Sequence, residues 1–155
     1  MIYIFTAPIG SGKTTALLQW MEKRNDVYGI LTPVLNKSRV FVDAHTKEQF
    51  PMEATGAEET ILVGRFVFSK TNFEKAIQII RNAIHKTGWL IIDEIGPLEL
   101  KGEGFHDVLK EVLAARNEKI VLVVREAMTE LVKEYFNISE VSLIKNKSSL
   151  KKLPG

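Results

Sequence analysis

Hydrophobic and polar positions change rhythm repeatedly along this chain. Residues 2–6 form a short apolar, β-rich run punctuated by Pro8 and Gly10, the pattern of a strand buried on both faces. Residues 14–24 then place Leu17, Leu18 and Met21 on one side of a helix. From residue 27 to residue 70 the period shortens. Residues 27–34 and 39–44 read as strands around an Asn36-Lys37-Ser38 turn, and residues 48–53 and 64–69 as two weaker strands. Residues 55–62 carry no pattern and read as a loop. Helical spacing returns over residues 72–86 through Phe73, Ala76, Ile77, Ile80, Ala83 and Ile84, with Thr71 or Asn72 as the cap and Gly88 as the stop. Then come a strand at 89–94, a helix at 103–116, a strand at 119–124, a helix at 127–136 and a last strand at 139–144 before a polar tail.

Strands alternating with helices predict a mainly parallel, three-layer α/β sheet, here with an antiparallel β-hairpin insertion over about residues 27–69. A length of 155 residues, 45% of them hydrophobic, is enough for one domain with a real core, so residues 1–155 are expected to form a single domain.

The first strand runs into Ala7-Pro8-Ile9-Gly10-Ser11-Gly12-Lys13-Thr14-Thr15 and then into the first helix. Strand, glycine loop, Gly-Lys-Thr and helix is the context of a phosphate-binding P-loop. Gly10 and Gly12 let backbone N–H groups close on an anion, and the helix start adds the positive end of its dipole. Lys13 is placed to reach the β- and γ-phosphates, and the Thr14 hydroxyl to ligate Mg²⁺. The consensus has glycine where this chain has Ala7, which fits where φ is negative.

A second motif lies some eighty residues on. The apolar run 89–92 ends in Asp93-Glu94, a Walker B pattern. A buried parallel strand ends at the sheet edge where the P-loop also opens. Asp93 is therefore expected beside the Mg²⁺ that Thr14 ligates, and Glu94 where it can orient or deprotonate the attacking water. The neighbouring Ile95 and Gly96 are counted with the nucleotide-binding residues. Arg125 follows the strand at 119–124 and falls at the same edge, within reach of a γ-phosphate. Arg65 and Arg116 are less well placed, and Glu99 and Glu103 read as part of a solvated loop.

Composition narrows the alternatives. Without cysteine there is neither a disulfide nor a thiolate metal site, and His45, His85 and His106 show no ligand spacing. A net charge of +2 argues for no particular partner. The only basic cluster, Lys145, Lys147, Lys151 and Lys152, reads as a solvated tail rather than a nucleic-acid surface. No apolar run reaches membrane-spanning length and no targeting segment precedes the P-loop, so the cytoplasm is the expected compartment.

The run Leu90-Ile91-Ile92-Asp93-Glu94-Ile95-Gly96-Pro97-Leu98-Glu99-Leu100 resembles the extended Walker B of the THEP1-type nucleoside-triphosphatase family. The P-loop, Gly29-Ile30-Leu31-Thr32-Pro33 and Val63-Gly64-Arg65-Phe66-Val67-Phe68 are similar to further elements of that family, and Asn146-Lys147 resembles its C-terminal Asn-Arg pair. Ala7, Ile9 and Lys147 depart from its pattern. The resemblance implies a RecA-like P-loop fold and slow, Mg²⁺-dependent hydrolysis of ATP, GTP and other NTPs. Two other readings use the same loop: a kinase with a small-molecule acceptor, which needs an arginine-rich lid not visible between Asp93 and Val124, and a nucleotide-gated binding module presenting the hairpin insertion.

Overall fold

The computed structural model of the chain describes residues 1–7, 12–56, 58–63 and 66–153. Pro8, Ile9, Gly10 and Ser11 of the predicted phosphate loop lie outside the described residues, as do Gly64 and Arg65. The elements are β1 (Ile2–Ala7), α1 (Lys13–Met21), β2 (Val27–Leu31), β3 (Val34–Leu35), β4 (Ser38–Asp43), β5 (Gln49–Pro51), β6 (Thr60–Val63), β7 (Phe66–Ser69), α2 (Lys70–Ala83) and β8 (Trp89–Ile95). They continue with α3 (Pro97–Leu100), α4 (His106–Ala115), β9 (Ile120–Arg125), α5 (Thr129–Tyr135), β10 (Val141–Ile144) and α6 (Lys147–Lys151).

The main sheet runs β10-β1-β9-β8-β2-β4-β3. Its first five strands are parallel, and β4 turns antiparallel against β2. The expected mainly parallel α/β sheet with a hairpin insertion is what the chain forms. β9 stands between β1 and β8, so the end of β1 and the acidic pair stand at the same edge one strand apart.

Strand alternation divides the core in two. Ile4, Ile30, Leu90, Ile92, Ile120, Leu122 and Val124 face one side, under Phe73 and Ile80 of α2, Val108, Leu109 and Val112 of α4 and Val132 of α5. Phe5, Val27, Leu31, Trp89, Ile91, Val121 and Val123 face the other, under Leu17 and Met21 of α1 and Leu150 of α6. A period of two thus feeds two helical layers, which is why these strands read as unbroken apolar runs.

Several boundaries differ from the sequence expectation, each for a physical reason. The strand expected at 27–34 breaks after Leu31, because the Thr32 N–H leaves the ladder to bind Asp93 and Pro33 has no N–H to give. The loop expected at 55–62 contains β6, which pairs antiparallel with β7. The cap of α2 is Ser69 rather than Thr71 or Asn72: its hydroxyl accepts from the Asn72 N–H at 3.2 Å. The helix expected at 103–116 begins at His106, after Gly102 and Gly104 take positive φ values of 81° and 60°. The polar tail is not loose. Asn146 caps α6, accepting from the Ser149 N–H at 2.9 Å, and Leu150 and Leu153 bury against α1's side of the core while the lysines stay exposed.

Gly29, in the middle of β2, has φ 108°, and a Cβ there would collide with the Ile91 carbonyl of β8. Glycine therefore lets two parallel strands close up directly beneath the site.

Candidate active site

The described residues of the two predicted motifs gather at the edge where β1, β8 and β9 end. Gly12 enters α1 at φ 81°, with open space where a Cβ would stand, so conformation and not crowding selects glycine there. Lys13, the first residue of α1, is 8% exposed. One turn of chain is then enough to bring the Thr14 hydroxyl over β8: its Oγ1 donates to Asp93 Oδ2 at 3.4 Å, long for such a bond, across 79 residues of sequence.

Asp93 is fully buried. Its Oδ2 also accepts from the Thr32 N–H at 2.9 Å, while Oδ1 has no hydrogen-bond partner among the described residues. Burial pushes its pKa up to about 6; the Thr32 hydrogen bond works against that, Glu94 adds to it, and Lys13 draws it down. A buried carboxylate oxygen without a partner beside a threonine hydroxyl is a hard, all-oxygen donor pair that fits Mg²⁺, a cation that keeps several waters and substrate phosphates among its ligands.

Glu94 is held differently. Between Ile92 and Ile95 the pairing with β9 gains one residue on the β8 side, a β-bulge. Glu94 occupies it at φ 55°, a region costly for a residue with a side chain. The bulge separates the directions of two consecutive acids: Asp93 is buried while Glu94 reaches the cavity and is half-buried. There Arg39 Nη1 donates to Glu94 Oε2 at 3.0 Å.

Arg39 belongs to β4 of the hairpin insertion and is the main candidate site residue that sequence reasoning missed. A faint signal existed, since period two puts Arg39 on the same face as the buried Phe41. Arg125 stands where the pattern predicted. It closes β9, paired in register with Ala7 at the end of β1, between that strand and the acidic pair of β8. Among the described residues its guanidinium has no hydrogen-bond or carboxylate partner.

Lys13, Thr14, Thr15, Arg39, Glu94 and Arg125 line one cavity of about 280 Å³. Ile95 and Gly96 do not join them: Ile95 is in the core, and the Gly96 N–H donates to Glu99 Oε1 at 2.8 Å. Glu99 itself is buried rather than solvated. Its Oε2 accepts from the Phe105 N–H at 2.9 Å, so its carboxylate ties α3 to the start of α4. Glu103 is exposed, and Arg116 bonds the Gly88 carbonyl at 2.6 Å at the opposite end of β8. No helix among the described residues is long and apolar enough to cross a membrane.

A family model described as NTPase matches residues 2–152. The chain is 30% identical over 129 residues to the nucleoside-triphosphatase THEP1 of Methanopyrus kandleri, covering 77% of this chain and 71% of that protein. It is 29% identical over 124 residues to the protein of the same name from Saccharolobus solfataricus, covering 74% and 70%. Among solved structures, THEP1 from Aquifex aeolicus superposes with a TM-score of 0.73 at 25% identity, covering 94% of this chain and 89% of that one. A human cancer-related nucleoside triphosphatase superposes at 0.69 and 25% identity, covering 92% and 87%. Matched over nearly its whole length by the family model and folded like its solved relatives, the chain belongs to the THEP1-type nucleoside-triphosphatase family.

Proposed function

We propose that the chain hydrolyses nucleoside triphosphates to the diphosphate and phosphate, slowly, in the cytoplasm and with little preference for the base, and that residues 1–155 work as one domain. The observation that carries this reading is the meeting of Thr14 with Asp93 next to a largely buried Lys13. Such a meeting is what the two halves of a P-loop site require at one sheet edge.

In this reading residues 7–15 form the phosphate cradle. Lys13 neutralises the β- and γ-phosphates, and Arg125 meets the γ-phosphate from the end of β9. Thr14 and Asp93 would hold Mg²⁺, which supplies charge neutralisation on the phosphate oxygens when bound. Glu94 accepts a proton from the attacking water. The bulge and Arg39 fix the direction in which its carboxylate points, so that the water is held in line instead of having to find its orientation.

Phosphate release from ATP, GTP, CTP and UTP, each with Mg²⁺, tests the reading. Wild-type protein is expected to turn over all four. Glu94→Gln should bind NTP normally and lose turnover by a factor on the order of 10²–10⁴. Lys13→Ala should lose both. Full turnover by Glu94→Gln would remove Glu94 from the chemistry, and normal ATP binding by Lys13→Ala would overturn the phosphate site.

A further inference from the structure

Hydrolysis asks for room for one water, about 30 Å³. A second cavity, of about 370 Å³, shares Thr32, Arg39, Glu94 and Arg125 with the phosphate-side cavity but touches neither Lys13 nor Thr14. Its remaining walls are mainly apolar: Met52, Phe68, Phe73, Pro97, Leu98 and Phe105. We propose that this chamber seats a neutral, ring-bearing alcohol of about nucleoside size, and that the chain transfers the γ-phosphoryl group to its hydroxyl. The proposal rests on the NTP site above, because the same bound triphosphate supplies the phosphoryl group.

Three observations select that chemistry. The first is size and lining. The volume lies within the range of small-molecule sites, about 300–1,000 Å³, and the walls include three phenylalanines whose rings already pack on one another. Phe73 and Phe105 stand 5.2 Å apart between centroids and Phe68 and Phe73 6.0 Å, and all three are held nearly buried, so the chamber has a fixed apolar wall suited to a ring more than to a polar chain.

The second is charge. Asp93, Glu94 and Glu99 on the lining balance Arg39, Lys101 and Arg125. Arg39 is already engaged by Glu94, and Glu99 accepts two backbone N–H bonds. No net positive field draws a phosphate-bearing acceptor into this chamber, and Glu94 would repel one, so a neutral acceptor is selected.

The third is position. Glu94 stands on the wall common to both cavities, its carboxylate aimed by the bulge. The hydroxyl oxygen of the alcohol forms the new bond to the γ-phosphorus, the bond from that phosphorus to the β,γ-bridging oxygen breaks, NDP leaves, and the hydroxyl proton passes to Glu94. The lid arginines absent from residues 93–124 are not required from that segment: Arg39 and Arg125 reach the junction from elsewhere in the fold.

The test uses the full chain with γ-labelled ATP and Mg²⁺, offering adenosine, thymidine and uridine as acceptors. Label is expected on at least one nucleoside, with ADP formed faster than in its absence. Leu98→Trp, which fills the chamber and has no part in the hydrolytic site, is expected to abolish the labelled nucleoside while phosphate release from ATP alone continues. Leu98→Ala serves as the folding control and should retain transfer. Label found only in free phosphate with all three acceptors overturns this proposal and leaves the hydrolase reading standing. A Leu98→Trp variant whose KM for ATP rises several-fold overturns it too, by assigning the chamber to the base of the NTP itself. Absence of both transfer and phosphate release would defeat the hydrolase reading and this one together.

Discussion

Arg39 Nη1 lies 3.0 Å from Glu94 Oε2, although 55 residues separate them and they belong to antiparallel and parallel parts of the sheet. The contact brings the hairpin insertion to the lining of the candidate site. Both side chains keep about a quarter of their surface, so the pair is screened and its value lies in direction more than in stability.

Arg39→Ala is therefore expected to lower kcat by about tenfold or more while KM for NTP changes little, because Glu94 loses its fixed aim. Arg39→Lys should recover part of the loss, since it restores charge without the planar fork. Steady-state kinetics on the two variants checks this. A rise in KM with unchanged kcat would make Arg39 a substrate contact instead.

Asp93 gives a pH prediction for the metal-free protein. Its folded-state pKa of about 6 lies above the ordinary 3.8, so between those values the folded chain holds a proton the unfolded chain has shed. Stability attributable to this group is thus greatest at low pH and falls as pH rises from about 4 through about 6. Raising the carboxyl from 3.8 to about 6 corresponds to a loss on the order of 3 kcal/mol. In urea melts with chelator present, Asp93→Asn should match the parent near pH 4 and exceed it increasingly up to about pH 6. Parallel curves at all pH values would refute the assignment.

The same substitution separates stability from function. Asparagine can still accept from the Thr32 N–H, but it cannot offer a charged oxygen to a cation. Asp93→Asn should melt higher without metal at neutral pH, yet lose Mg²⁺-dependent phosphate release and any stabilisation by MgATP. Retained Mg²⁺ dependence would take Asp93 out of the metal site.

Leu150 tests the C-terminal segment. It is 1% exposed and packs in the same cluster as Leu17 and Met21 of α1. Leu150→Ala is expected to cost about 2–5 kcal/mol in chemical denaturation, whereas Lys151→Ala should be within about 0.5 kcal/mol of the parent. Equal small effects would restore the solvated-tail reading of this segment.

Much of the candidate site is legible in the chain because its signals are local. Gly12-Lys13-Thr14 follows a strand and opens a helix, and four apolar residues end in Asp93-Glu94. Each pattern is a few residues long, and its geometry follows from backbone conformation alone. The alternation of strands and helices likewise fixes parallel layers, since each apolar run needs cover on both faces.

Only the tertiary structure decided the rest, wherever a residue's role depends on a partner outside its own element, whether that partner is near in the chain, as β7 is to β6, or far, as Arg39 is from Glu94. Thr60–Val63 is a strand because β7 lies alongside it, not because of its own pattern, with Leu62 71% exposed. Glu99 became a buried tie instead of a loop acid because the N–H groups of Gly96 and Phe105 converge on it. The bulge at Glu94, the reach of Arg39 and the shared wall of two cavities arise from pairing between strands. Hydrophobic spacing records which face of an element is buried; it does not record which element will cover that face, and at this sheet edge that choice determines which charges meet.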